Sequence, residues 1–233
     1  MIIPSDPDYL DTKLIKQGLK QLDPIFQELA NWINQKYDTI VLNIYYDKLK
    51  IDRNRPRLSI IFEYYQETGV FRDYIGNFDS NKQKDISDKF REIVSKPATN
   101  FWDRLLKKLI PEKFNTNNLL VIFTDFEPIA REEANGKITQ SEIENLQREL
   151  KMKDLWKILP ERSMTVFFFY TDQQIEQYSK DGTTELLRNK YLDILKKYDE
   201  FNYFKFDTLI VSFDSKENFE INYQSNWFYY YKR

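Results

Sequence analysis

The sequence predicts an α/β or α+β fold: a mixed β-sheet of about six strands flanked by helices, two helices at the N-terminus and a C-terminal β-hairpin. Three observations point to it. The runs Leu119–Phe123 and Val166–Tyr170 are apolar at every position, as strands buried on both faces are. The runs "TIVLNIYY" and "RLSIIFEYY" alternate instead, as half-buried strands do. Around them lie longer segments whose apolar residues recur at helical spacing.

The first helical segment places Leu10, Leu14, Ile15 and Leu19 on one face. The second starts at Asp23, suited to accept hydrogen bonds as an N-cap, with Pro24 in the first turn. Its stripe is Ile25, Phe26, Leu29, Trp32 and Ile33. Ile40, Leu42, Ile44 and Tyr46 then share one face of a strand, and Leu58, Ile60, Phe62 and Tyr64 one face of its partner. The polar link "DKLKIDRNRP" joins them as an antiparallel hairpin, with Leu49 and Ile51 extending the first strand. Ile86, Phe90, Ile93 and Val94 mark the next helix; Pro97 interrupts it, and a second piece capped by Asn100 carries Phe101, Leu105, Leu106 and Leu109. "NLLVIF" is followed by a helix through "SEIENLQRELKMKDLWKIL", begun by Thr139 or Ser141, with Ile143, Leu146, Leu150 and Leu155 in its stripe. After "MTVFFFY" a helix buries Leu187, Tyr191, Ile194, Leu195 and Tyr198. "DTLIVSF" and "NFEINY" close the chain as a hairpin across "DSKEN". No stretch reads as a linker and no sequence repeat stands out, so a single domain over residues 1–233 is expected.

Composition narrows the chemistry. Of 233 residues, 41% are apolar and 31% charged, which suits a globular chain with a sizeable core. With no Cys and no His, disulfides, thiol nucleophiles and Ser-His-Asp triads are excluded. Acid–base work would fall to Asp, Glu, Lys or Tyr. With 35 basic and 37 acidic residues, the chain lacks the basic excess of a nucleic-acid binder, so nucleic acid is not an expected partner. "SKDGTTELL" has one glycine and neither a dinucleotide fingerprint nor a P-loop, so no cofactor is expected. "MIIPSDPDYLDTK" lacks the pattern of a signal peptide, and no apolar run approaches a membrane span. A soluble, cytoplasmic protein is the expectation.

Four constellations stand out. "IFTDFEPIAREE" sets Asp125 and Glu127 past a strand end, where ligands of α/β sheets gather; a hard cation could be held there, or the acids could simply open a helix. Asp207 with Asp214-Ser215-Lys216 resembles the acid and acid-x-Lys core of restriction-like nucleases, although Asp and Ser are also ordinary turn residues. These two sets support the alternative of a divalent-metal-dependent hydrolase. "KLKIDRNRPR" holds Lys48, Lys50, Arg53, Arg55 and Arg57, a basic hairpin tip fit for phosphate, for an acidic partner or for plain solvation. The tail carries five successive aromatics. Read as a strand, Trp227, Tyr229 and Tyr231 face one way and Phe228 and Tyr230 the other, and burial of at least three is expected. Trp227, Tyr229 and Tyr231, with Arg53 and Arg55, are the candidate partner interface, because aromatics and arginine are favoured at protein interfaces.

"FQELANWINQKYDTIVLNIYY", "RLSIIFEYY" and the closing "LIVSFDSKENFEINY" together resemble small immunity proteins of bacterial polymorphic toxin systems. The resemblance lies in element order and in the C-terminal β-hairpin, an acidic turn followed by an aromatic-rich strand; it covers about half the chain, leaving Asn115 to Tyr178 without a counterpart. It implies a protein partner, a toxin domain neutralised by direct binding, and assigns no residue position by position.

Overall fold

The six strands lie in two mixed, three-stranded sheets with helices against them, an α+β architecture. The computed structural model describes residues 3–96, 114–162 and 164–232; the helical piece expected around Phe101 to Leu109 falls outside them. The chain divides into two compact units, Met1–Glu127 and Pro128–Arg233, each containing one sheet.

The first unit runs α1 (Pro7–Lys16), α2 (Pro24–Tyr37), β1 (Val41–Leu49), β2 (Arg55–Phe62), α3 (Tyr65–Gly69), α4 (Ser80–Ser95) and β3 (Leu120–Asp125). β2 is central, antiparallel to β1 and parallel to β3, so its residues from Leu58 to Phe62 are all buried. α2 forms as expected: the Asp23 carboxylate accepts the Ile25 N–H, Pro24 opens the helix, and Leu29 and Ile33 are fully buried. They pack with Ile86, Phe90 and Ile93 of α4 over Ile44, Leu58, Ile60 and Phe123.

α1 covers the opposite face and corrects the sequence reading. Leu10 and Leu14 are exposed, Leu19 lies beyond the helix, and the buried side carries Asp8, Tyr9 and Thr12. The strands beneath explain this, since they present polar Asn43 and Ser59. Asn43 donates to the Thr12 hydroxyl at 2.9 Å and to Asp11 at 3.2 Å, and Tyr9 stacks on Phe126.

The second unit runs α5 (Glu127–Gly136, its first residue at the boundary), α6 (Gln140–Leu150), β4 (Leu155–Glu161), β5 (Met164–Phe169), α7 (Asp172–Lys180), α8 (Thr183–Leu195), β6 (Val211–Ser215), α9 (Lys216–Tyr223) and α10 (Trp227–Tyr231). Its sheet order is β4-β5-β6, again with an antiparallel and a parallel pair. Phe167 and Phe169 face Leu187, Tyr191 and Leu195 of α8, while Val166 and Phe168 face Phe219 and Tyr230.

Two expectations fail here. The helix begun by Thr139 stops at Leu150, where Lys151 takes a left-handed conformation (φ 49°), and Leu155 belongs to a strand. The C-terminal hairpin is a strand followed by two helices. Hence the sixth strand is β4, not the tail.

The units repeat one arrangement: two helices, a hairpin, two helices and a parallel strand, which in the second unit is followed by α9 and α10. Each first strand has an irregular register at the same place, between Val41 and Asn43 and between Leu155 and Lys157. Ile44–Ile60–Phe123 line up across one sheet as Ile158–Phe167–Phe213 do across the other. The Glu67 carboxylate accepts the N–H groups of Glu63 and Tyr64; the Gln174 amide oxygen accepts those of Tyr170 and Thr171. The N–H of Glu127 donates to Glu63 and that of Glu217 to Tyr170. Such agreement in register, bulge and cap marks an internal structural repeat, one that the sequence does not show as a repeat.

Candidate interaction surface

The tail aromatics form a helix because of what precedes them. Gln224 and Ser225 take left-handed conformations (φ 53° and 55°) that end α9, and the Asn226 side chain then accepts the Phe228 N–H as an N-cap. Helical spacing replaces the expected alternation. Trp227 and Tyr230, three apart, turn inward. Trp227 stacks on Phe219 at 4.1 Å and on Trp156 at 6.2 Å. Tyr230 is buried, and its hydroxyl donates to Asp214 at 2.6 Å. Phe228, Tyr229 and Tyr231 are 61%, 51% and 45% exposed, so the expected burial of at least three of the five does not hold.

The result is a set of large rings standing in solvent on a short helix pinned by a stack and a buried hydrogen bond. Lysines surround it. Lys232 lies 4.3 Å from the centre of the Phe228 ring and Lys157 lies 4.8 Å from that of Trp227. Lys216 sits 5.7 Å and 5.8 Å from the Trp156 and Tyr170 rings. The strand reading placed two residues wrongly: Trp227, read with the candidate interface, packs inward on Phe219 and Trp156, and Phe228 stands outward; Asn226 as an N-cap is the signal that could have found them.

The other candidates are placed as follows. Arg53, left-handed at φ 49°, closes a 3-10 turn over Lys50–Asp52 and is exposed. The Arg55 Nε donates to the Asn118 carbonyl at 3.0 Å. Arg57 is held in a two-pronged pair with Asp47 at 2.8 and 2.6 Å, a structural cross-strand link between β1 and β2.

Asp125 ends β3 and Glu127 starts α5, so the pair sits at a strand-to-helix turn. The Thr68 hydroxyl donates to Asp125. Burial raises the Asp125 carboxyl to about 6, with Glu127 and Glu67 adding to the rise and Arg72 opposing it. Asp207 lies in a 3-10 turn before β6, and Asp214 lies near the far end of that strand. Asp214 accepts from the Asn218 amide at 2.7 Å and the Ser215 N–H at 2.8 Å besides Tyr230, a structural role in orienting α9 and α10. Lys216 is paired with Glu220 at 3.4 Å. Among the described residues, no group of three or more acidic side chains converges as a metal site would require, and no helix is long and apolar enough to cross a membrane.

The chain matches no family model, and comparison with curated proteins and with solved structures gives no significant match.

Proposed function

We propose that this chain is a cytoplasmic protein-binding module of the immunity type, which neutralises a cognate toxin domain by direct binding through α10. The observation that carries the reading is the exposure of Phe228, Tyr229 and Tyr231 on a helix whose other face is fixed by Trp227 and Tyr230. Rings held rigidly in solvent bring large contact area with little loss of conformational freedom on binding. Lys157 and Lys232 beside the rings, offset in part by Glu161 near Tyr231, favour a contact surface on the partner that includes acidic groups. The resemblance in element order to immunity proteins supports the toxin-binding form of the reading; the C-terminal hairpin, the other part of that resemblance, is replaced by α9 and α10.

The reading predicts a toxin domain encoded beside this gene, and co-expression with that domain is the test. Growth restored by the native chain, and lost with the triple variant Phe228→Ala, Tyr229→Ala, Tyr231→Ala, is the expected result. Equal protection by the triple variant, or no protection by the native chain, speaks against it. The variant's unfolding free energy is measured alongside; because Tyr231 also stacks on Trp227 at 6.0 Å, a loss of about 1–2 kcal/mol is expected, with the fold retained.

A further inference from the structure

The first unit contains a cleft of about 350 Å³ between α4 and the start of β3. Its lining includes three cations, Arg55, Lys84 and Arg91, together with the side-chain donors Gln83, Ser87 and Asn118. Asp88 is the single carboxylate in the lining. It accepts from Lys84 on one oxygen at 2.7 Å and from Arg91 on the other at 2.8 Å, and so draws the two cations toward each other from successive turns of α4. Three positive charges less one negative leave the lining at +2, although the chain as a whole is at −2. Asp52, 3.7 Å from Arg55, offsets part of that charge from outside the lining.

The internal repeat supplies a comparison. The Asn118 carbonyl, three residues before Val121, corresponds to the Thr208 carbonyl, three residues before Val211. A guanidinium holds each. In the second unit this is Arg131, buried over Phe204 and donating to Thr208 at 2.8 Å. In the first it is Arg55, partly exposed and facing Lys84 and Arg91 across an open cleft. Holding the carbonyl does not require the cleft or the two further cations.

We propose that this cleft binds the phosphate group of a small phosphorylated ligand, such as a nucleoside monophosphate. Clustered guanidinium and ammonium groups with hydroxyl and amide donors suit a multiply charged oxyanion. A volume of about 350 Å³ lies within the range of small-ligand pockets and leaves room beside the phosphate for the group that bears it. The inference is independent of α10 and of toxin binding.

Isothermal titration calorimetry of the full chain with AMP, inorganic pyrophosphate and a single-stranded oligonucleotide tests it. AMP or pyrophosphate is expected to bind with Kd of about 0.1–1 mM at low salt, weakening as salt is added. Arg91→Gln and Lys84→Gln, both on the exposed side of α4, are each expected to weaken that binding by about tenfold with circular dichroism unchanged. Absence of binding at about 10 mM of both small probes overturns the proposal, as does affinity untouched by both variants. Binding of the oligonucleotide alone also overturns it, and points to a nucleic-acid backbone instead.

Discussion

Trp227 and Tyr230 decide whether the tail is ordered. Trp227→Ala removes a ring stacked between Phe219 and Trp156, and a loss of about 2–4 kcal/mol is expected in urea unfolding. Tyr230→Phe leaves the ring in place but deprives the buried Asp214 carboxylate of one donor, with an expected loss of about 1–3 kcal/mol. Asp125 makes a pH prediction. Its carboxyl titrates at about 6 in the folded chain against 3.8 for the free side chain, so between those values the folded state holds a proton that the unfolded state has released. The stability it contributes is complete below pH 3.8 and is lost as pH rises through about 6. Asp125→Asn abolishes that slope and, after allowance for solvent screening, makes the protein about 1–2 kcal/mol more stable at pH 7. An unaltered slope in the variant would assign the titration to another group.

At the scale of elements, α1 shows that which side of a helix is buried depends on the surface it meets. Its leucines read as the core stripe, yet Asn43 and Ser59 beneath it select the polar side. Leu10→Lys with Leu14→Lys is therefore expected to change thermal stability by under about 1 kcal/mol. Asn43→Leu should destabilise by about 1–3 kcal/mol, because Thr12 and Asp11 lose their donor. The reverse ranking would restore the leucine face to the core. α2 and α4 were legible because stripe and cap agree with their burial. β2 and β3 exchange the expected roles: β2, read as half-buried, is the central strand and is buried throughout Leu58 to Phe62, whereas β3, read as buried on both faces, is an edge strand whose burial alternates. β1 was read as a strand, but its bulge puts Val41 in the core in place of Ile40, which is exposed. β4 was read as helix because its bulge sets the buried Leu155 and Ile158 three apart, a spacing that mimics a helix. The tail was misread because five aromatics favour a strand by propensity, whereas the left-handed pair and the N-cap before them start a helix. Of the candidate residues read from the sequence, Tyr229 and Tyr231 are exposed as an interface requires. Phe228 was assigned to the wrong face and Trp227 proved to be the anchor.

For the molecule as a whole, the repeat separates shared architecture from what each unit has made its own. Both units keep the bulged hairpin, the capped turn after the central strand and the parallel third strand. They differ in what covers the second face of the sheet. In the first unit this is α1, over a polar layer. In the second it is α9 and α10, over Val166 and Phe168, an apolar layer that anchors Trp227 and Tyr230 and leaves their neighbours in solvent. The docking proposed for α10 thus rests on the second unit alone, and the phosphate site proposed for the cationic cleft on the first. Hydrogen–deuterium exchange of the chain with and without its bound partner tests that claim most directly. Slower exchange concentrated in residues 226–232, with the cleft residues of α4 unchanged, is the predicted result. A complex that forms while 226–232 exchanges as fast as in the free chain would contradict it.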